Sequence, residues 1–447
     1  MADLLSECGA MNYVDAVPGV DSRADVRRRI RAIFIGSVGN LVEWYDFYAY
    51  TAFALYFAGA FFPGGNLVVQ QLNAALLFAF GFIARPIGGW LFGHLGDQYG
   101  RKNALMLSVL LMCVGSLVIA VTPTYASIGL AAPVMLAVAR IIQGLSLGGE
   151  YGTSATYLSE VADDKNRGFY SSFQYVTLIG GQLSAILVLM VLQLLLTGDQ
   201  LRAWGWRVPF VIGALLAVTA LAMRRGLHET EAFVASKAVG RRQSSVRALF
   251  QYPREVLMVI GLTMGGTAAF YTYTTYMQKF LKLSVGLTDG QTTLVTAGAL
   301  IFALLLQPVY GAISDRIGRK PLLIWFGVMG TLFTIPLLNG LQGTKSALVA
   351  FLLICTAWLI VAGYTSINAV VKAELFPTKV RATGVGLPYA LAVSIFGGTL
   401  ESIALYFKNI GHENWFGYYL TTLIFGSLVV YATMRDTKKM SAMGRHE

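Results

Sequence analysis

Two short and similar stretches decide the fold: GHLGDQYGRK at residues 93–102 and GAISDRIGRK at residues 311–320. Both have the form G-x-x-x-D-x-x-G-R-K, and each lies between two long apolar runs. Glycines allow a tight turn and a close approach of helices, while the aspartate and the arginine can form charge-assisted hydrogen bonds with neighbouring helix ends. The repeat therefore predicts two related halves, each with a polar turn at the same place between apolar helices.

The composition identifies the solvent of the chain as a lipid bilayer. Of its 447 residues, 56% are hydrophobic and 13% are charged, and the mean hydropathy is +0.61. Soluble chains carry about 25% charged residues, so this chain has too little polar surface for water. The net charge of +11 comes from basic residues that lie between apolar runs, which indicates membrane topology rather than nucleic-acid binding.

The apolar runs predict an all-α protein with twelve transmembrane helices, because each crossing needs roughly 20 mostly apolar residues. Lysine and arginine concentrate in alternate loops, which predicts that both termini lie in the cytoplasm. The predicted helices cover residues 31–60, 70–95, 103–122, 132–157, 168–196, 206–224, 255–279, 289–313, 321–340, 346–372, 382–407 and 414–434.

The longest polar stretch, Arg224 to Arg254, falls in the middle of the chain and is predicted to join two six-helix bundles. The predicted organisation is a cytoplasmic N-terminal tail at 1–30, a first bundle at 31–224, a cytoplasmic linker at 225–254, a second bundle at 255–434 and a cytoplasmic C-terminal tail at 435–447.

Several charged residues lie inside predicted helices, where each would cost roughly 2.5–3.5 kcal/mol at the centre of the bilayer. They must face a cavity or one another. Pairing between helices without any role in transport is the alternative to a functional role. Two of these charged residues, Glu43 and Asp46, are three positions apart and therefore share one helical face. The full set is Glu43, Asp46, Arg85, Arg140 and Glu150.

The paired motif resembles the signature of the major facilitator superfamily. A narrower resemblance, to its metabolite:proton symporters, covers nearly the whole chain after the first twenty or so residues. It rests on residues 39–48 (GNLVEWYDFY), 85–89 (RPIGG), 140–144 (RIIQG), 148–152 (GGEYG) and 374–381 (ELFPTKVR). A finer match, to the members that carry 2-oxoglutarate, rests on residues 173–182, 274–279 and 372–374.

The resemblance implies two pseudo-symmetric six-helix bundles that import 2-oxoglutarate or a similar dicarboxylate together with protons by alternating access. It also implies a cytoplasmic gate that closes when the carrier opens outward. A second repeated pair, an acid followed by an arginine after predicted helices 4 and 10, belongs to this gate. The gating candidates are Asp97, Arg101, Asp315, Arg319, Glu160, Arg167, Glu374 and Arg381.

The chemistry of a dicarboxylate selects the other candidates. Arginine offers a rigid fork for a carboxylate, and a buried acid can take up and release a proton near neutral pH. Lys372 is left open between a ligand and an anchor at the cytoplasmic surface. The substrate-binding candidates are Arg85, Arg140, Lys279, Tyr273 and Gln143, and the proton-coupling candidates are Glu43, Asp46 and Glu150.

Other classes of protein are disfavoured. The sequence lacks the G-x-x-x-x-G-K-[ST] motif that would indicate an ATP-driven pump and the H-E-x-x-H motif that would indicate a metalloenzyme. The three cysteines are too far apart to suggest a metal site or a disulfide framework. The sequence predicts no enzyme and no cofactor, but a monomeric carrier of the bacterial inner membrane whose partners are a dicarboxylate, protons and lipid. Symport of citrate, an aromatic dicarboxylate or an osmolyte remains an alternative, and a membrane enzyme is the rival from another class.

Overall fold

In a computed structural model of the protein, the regular elements of the described residues are helices. The described residues are 23–99, 101–148, 159, 165–225, 246–377 and 380–438.

Twelve helices follow one another along the chain. They are α1 (Arg23–Phe61), α2 (Leu67–Tyr99), α3 (Arg101–Val121), α4 (Ala131–Gly148), α5 (Arg167–Leu195), α6 (Val208–Arg225), α7 (Pro253–Val285), α8 (Asp289–Ile317), α9 (Lys320–Gly343), α10 (Ala347–Leu375), α11 (Arg381–Asn409) and α12 (Trp415–Thr433). Short helices or turns also occur at Tyr125–Ile128, Gly198–Ala203, Gly205–Arg207 and Val246–Gln251.

The helices match the predicted pattern, and within the described residues nine of them are long and apolar enough to cross a bilayer. Shorter apolar stretches occur at α3 and α6. Some boundaries differ from the prediction: α1 begins at Arg23, inside the predicted tail, and α7 continues to Val285, well beyond the predicted end. Most of the predicted linker and the end of predicted helix 4 lie outside the described residues.

The surface and the interior have the distribution of polarity that a bilayer requires. Leucines such as Leu194, Leu215 and Leu332 are more than half exposed, where they can meet lipid at no cost. By contrast, charged side chains such as Asp46 and Arg140 are completely buried. Because hydrocarbon cannot satisfy such groups, the charges of the described spans gather between the helices.

Glycines bring α2 and α4 into direct backbone contact. A Cβ atom at Gly144 would overlap the carbonyl oxygen of Gly81, and one at Gly148 would overlap the carbonyl oxygen of Arg85. Helices in membranes approach this closely only where small residues face each other. The contact fixes Arg85 of α2 and Arg140 of α4 relative to each other.

Two helices of the second half widen locally into π-helical turns. These turns lie at Thr272–Tyr276 and Leu281–Val285 in α7, and at Ser394–Gly398 in α11. A π-helical turn inserts one extra residue, shifts the face of the helix and often occurs at functional sites. The turns at Thr272–Tyr276 and Ser394–Gly398 precede buried ionisable residues that the next subsection describes.

Gly144→Ala should destabilise the protein, because the added methyl group meets the backbone of α2 rather than a flexible side chain. We expect a fall of several degrees in the melting temperature in detergent. The matched control is Gly290→Ala in α8, where no atom lies within 4 Å of the new Cβ and alanine favours the helix. Equal melting temperatures for the two variants would contradict the close packing of α2 and α4.

Candidate transport site

A buried hydrogen-bonded cluster surrounds Asp46 of α1. The side-chain amide of Gln143 in α4 donates to Asp46 Oδ2 at 2.6 Å, and the hydroxyl of Ser116 in α3 donates to Asp46 Oδ1. A Cβ at Gly213 of α6 would overlap Asp46 Oδ1, so the carboxyl group is enclosed by four helices. Nη1 of Arg140 donates to Gln143 Oε1 at 2.7 Å. Gln143 thus connects the acid to the arginine, and the predicted residues Asp46, Arg140 and Gln143 form one unit.

Arg85 and Arg140 both lie against the aromatic ring of Phe47. Their guanidinium carbons lie 4.4 Å and 4.2 Å from the ring centroid of Phe47. Arg85 also contacts Trp44 and Phe82, and Arg140 contacts Tyr50 and Phe78. Aromatic faces attract cations, so these rings hold both guanidinium groups in place without neutralising their charge.

Each of the two arginines leaves hydrogen-bonding capacity unused. Among the described residues, Nε and Nη2 of Arg85 have no hydrogen-bond partner, and the same is true of Nε and Nη2 of Arg140. Buried donors are normally satisfied. Nε and Nη2 form one edge of the guanidinium plane, which matches the two oxygens of a carboxylate. Both side chains therefore present an edge that can bind a carboxylate.

The α2 helix lacks one backbone hydrogen bond at the turn that carries Arg85. Pro86 has no N–H group, so the carbonyl oxygen of Phe82 lacks its helical donor. The Ser394 hydroxyl of α11 lies 2.5 Å from this oxygen. The π-helical turn of α11 thus binds α2 one turn away from Arg85. The two halves of the chain meet at this point.

Lys279 lies inside the bundle and has a partner that the sequence analysis missed. Its Nζ is 2.6 Å from Oε1 of Glu401 in α11, and it also donates to the carbonyl oxygen of Thr51 in α1 at 3.3 Å. All atoms of Lys279 are buried, because α7 continues through Val285. The Lys279 side chain therefore faces the interior of the protein rather than the membrane surface. Glu401 could have been noticed as a single acid in an otherwise apolar predicted helix.

Lys372 is also completely buried, so an anchor at the cytoplasmic surface is wrong for this residue. It donates to Asn368 Oδ1, and its Nζ lies 3.7 Å from the ring centroid of Tyr389. The Tyr389 hydroxyl also interacts electrostatically with Arg85 of the first half. Tyr389 therefore lies between a cation of each half.

The positions of the remaining candidates for substrate binding and proton coupling say less about the site. Tyr273 and Glu43 are both buried, in α7 and α1. Within the described residues, Tyr271 rather than Tyr273 is the tyrosine of α7 that interacts with Arg85. Glu150 lies outside the described residues.

The repeated motif forms a junction between the halves at the end predicted to face the cytoplasm. Both carboxylate oxygens of Asp315 accept backbone N–H groups at the start of α5, from Gly168 and Phe169 at 2.8 Å each. An acid at a helix N-terminus satisfies unpaired donors and complements the helix dipole. Asp315 of the second half thus caps a helix of the first half.

Arg319 extends this junction to α10. It pairs with Asp315 at 2.8 Å and with Glu374 at 3.3 Å, and the Thr437 hydroxyl donates to Glu374 at 2.6 Å. Arg381 donates to the carbonyl oxygen of Phe376 at 3.1 Å.

The other gating candidates complete the comparison with the sequence. Arg167 begins α5 and interacts electrostatically with Glu374. For Asp97 and Arg101 only the backbone is described, at the end of α2 and the start of α3. Glu160 lies outside the described residues.

Comparisons with known proteins agree with this architecture. The model of the family "Sugar (and other) transporter" matches residues 32–249 and 234–446. The D-xylose-proton symporter has a solved structure with a TM-score of 0.72 at 18% identity, over 92% of this chain and 99% of that chain. At this identity the likeness shows the fold, that of the major facilitator superfamily. The chain therefore belongs to the sugar (and other) transporter family and is a multi-pass protein of the bacterial inner membrane.

Individual relatives are more similar in sequence. The alpha-ketoglutarate permease of Escherichia coli (strain K12) is 52% identical over 400 residues, which cover 90% of this chain and 92% of the permease. The citrate-proton symporter of Klebsiella pneumoniae is 33% identical and covers 83% of each chain. The proline/betaine transporter of Escherichia coli (strain K12) is 30% identical, over 93% of this chain and 85% of that protein.

Asp315→Asn should loosen the junction between α5 and α8, because it removes the charge that caps α5 and binds Arg319. We expect spin labels at Lys165 and Ile317 to show a longer or broader distance distribution in the variant. Asp436→Asn is the control, since Asp436 caps the start of α9 within the second half. If the Asp315→Asn distribution equals that of the wild type, the junction does not hold the two halves together.

Proposed function

We propose that this chain is a proton-coupled symporter that imports 2-oxoglutarate or a similar dicarboxylate by alternating access between two six-helix bundles with cytoplasmic termini. The observation that carries the proposal is the pair of buried arginines with unused carboxylate-binding edges, Arg85 and Arg140, next to the buried acid Asp46. A site with uncompensated donors and positive charge binds an anion better than a zwitterion. The 52% identity to an alpha-ketoglutarate permease supports the same substrate class.

Proton coupling follows from the energetics of a dianion. The inside-negative membrane potential opposes its uptake by about 2.3 kcal/mol per charge per 100 mV, so import needs protons or another cation. Asp46 is a buried acid in contact with the arginine-bearing unit, through Gln143. We assign the coupling proton to Asp46: in its neutral form it loses its attraction for Arg140, which is then free to bind the substrate. Arg85 and Arg140 serve the substrate carboxylates, and Lys372 with Tyr389 approaches from the other half.

We assign the cytoplasmic gate to contacts that must break during alternating access. The contacts of Asp315, Arg319 and Glu374 join the halves at one end and must break when the carrier opens there, since alternating access requires contacts that exist in only one state. We assign Asp97, Arg101, Glu160, Arg167 and Arg381 to this gate from the sequence pattern. No chemical conversion of the substrate is part of the proposal, and we assign a monomer as the transporting unit.

Proteoliposomes with an alkaline interior should accumulate radiolabelled 2-oxoglutarate, since each co-transported proton supports about tenfold accumulation per pH unit. A protonophore should abolish accumulation, and empty liposomes are the control. Competition with citrate, betaine and proline measures the specificity. Uptake driven equally well by a sodium gradient without a pH gradient would contradict proton coupling, and stronger competition by citrate would reassign the substrate.

Asp46→Asn should strongly reduce accumulation driven by the pH gradient but preserve exchange of labelled for unlabelled 2-oxoglutarate, because the amide can neither bind nor release a coupling proton. Asp199→Asn, which changes an exposed acid in the short helix before α6, is the control and should transport normally. Normal accumulation by Asp46→Asn would remove this residue from the coupling mechanism.

Arg85→Lys and Arg140→Lys should each raise the apparent KM for 2-oxoglutarate about tenfold or more. Lysine keeps the charge but loses the two parallel hydrogen bonds, and a charge-assisted bond contributes about 1.5–3 kcal/mol. Arg202→Lys at an exposed position is the control. Calorimetry on the purified variants measures affinity directly, and wild-type affinity in either variant would make that arginine structural.

A further inference from the structure

The second half of the chain contains a buried ion pair, Lys279 with Glu401, that the gate and the arginine pair do not use. The two charged atoms are 2.6 Å apart, and the side chains are 0% and 2% exposed. Removing a pair of charges from water is costly, and a buried pair is weak evidence of stabilisation. Its position therefore calls for another explanation.

The pair also connects the two halves of the chain at the end opposite the Asp315 junction. Lys279 donates to the carbonyl oxygen of Thr51 in α1, and the neighbouring Gln278 donates to that of Ala52 at 3.2 Å. Because α1 and α7 belong to different halves, these contacts must separate when the carrier opens outward. Lys279 is thus both the partner of an acid and a contact that closes the outward side.

Glu401 has one carboxylate oxygen available to a proton. Its Oε1 binds Lys279, whereas its Oε2 has no hydrogen-bond partner among the described residues. The ionisable groups nearest to it are Lys279 and Tyr276 of α7 and Tyr50 of α1. Glu413, just before α12, acts on Tyr276 as well. From Leu67 to Ala84, α2 packs near α11 and contributes no ionisable side chain.

Tyr50 connects this pair electrostatically to the first half. The guanidinium carbon of Arg140 lies 4.5 Å from the Tyr50 ring centroid, and the Tyr50 hydroxyl is close enough to both Arg140 and Glu401 to interact with their charges. The acid–cation units Asp46 with Arg140 and Glu401 with Lys279 therefore both lie near one tyrosine. Each half contributes one buried acid and one buried cation.

We propose that Glu401 is a second proton-binding site of the carrier, and that its protonation releases Lys279 to attract the incoming dicarboxylate. This inference rests on the proposed function. In the step, a proton from the outward-facing water binds the Glu401 carboxylate, and the Lys279 ammonium keeps its own protons. The uncompensated ammonium then gains a substrate carboxylate as its partner, and α7 separates from α1. Two such acids supply the two protons that neutralise a dianion.

Glu401→Gln mimics the protonated acid permanently, and the double variant Lys279→Gln/Glu401→Gln removes both buried charges, so no charge is left unpaired. The matched control is Lys408→Gln/Glu413→Gln, which removes an ion pair of 2.8 Å that is only partly buried. All proteins are reconstituted in parallel with the wild type. Exchange of 2-oxoglutarate at equal pH and accumulation driven by a pH gradient are then measured.

Glu401→Gln should retain exchange within several-fold of the wild type but accumulate about tenfold less 2-oxoglutarate per unit of pH gradient, because one proton fewer enters with each substrate. The double variant should show the same loss of coupling, and the control pair should couple normally. Wild-type accumulation by either Glu401 variant would overturn the inference, since an ion pair that is only structural can be replaced by a neutral pair.

Two further results separate a failure of the proposed function from a failure of the proposed role of Glu401. If the wild type itself fails to accumulate 2-oxoglutarate under the pH gradient, the proposed function fails rather than the role of Glu401. If Glu401→Gln does not fold, the double variant and infrared spectra of the wild type decide. Because Asp46 also contributes a carbonyl band when it is protonated, the intensity decides: bands of protonated carboxylic acid that are equal in the wild type and the double variant at acidic pH would contradict protonation of Glu401.

Discussion

The cost of placing charge inside a bilayer constrains the whole structure. Hydrocarbon cannot solvate Asp46, Arg140, Lys279 or Glu401, so each must be matched by a neighbouring helix. The matches are of two kinds: hydrogen bonds through Gln143 in the first half and a direct ion pair in the second. Helices that share such contacts cannot move independently, which is why a change of protonation at one acid can alter the packing of the bundle.

Close backbone packing and aromatic side chains make this arrangement rigid where it must be rigid. The glycines of α2 and α4 hold Arg85 and Arg140 at a fixed separation, and both guanidinium groups contact the ring of Phe47. The contacts between halves are different in kind: a helix cap at Asp315, a lysine on a carbonyl oxygen at Thr51, a serine on the carbonyl oxygen of Phe82. Such polar contacts can form and break, and beside them aromatic rings of the two halves also pack together, Phe82 with Tyr271 and Tyr175 with Phe270.

The sequence predicted the helices and their order and selected Asp46, Gln143 and Arg140 as separate candidates, because apolar length and charges inside apolar runs are local signals. It did not predict that these three residues form one unit, and it did not predict the partner of Lys279. Glu401 is distant in sequence, and each residue of the pair follows a π-helical turn, which composition does not reveal. Burial of Lys372 was also missed, since a lysine near a helix end has the same pattern whether it faces water or Tyr389.

The most direct measurement is the number of protons that enter proteoliposomes with each labelled 2-oxoglutarate when there is no initial pH gradient. A trapped pH indicator and the radiolabel report the two fluxes in the same vesicles, and a potassium–valinomycin clamp fixes the membrane potential. Net uptake should acidify the interior in constant proportion to substrate, and Asp46→Asn should acidify it less for each substrate molecule that enters. Net uptake of 2-oxoglutarate by the wild type without acidification would contradict proton-coupled transport.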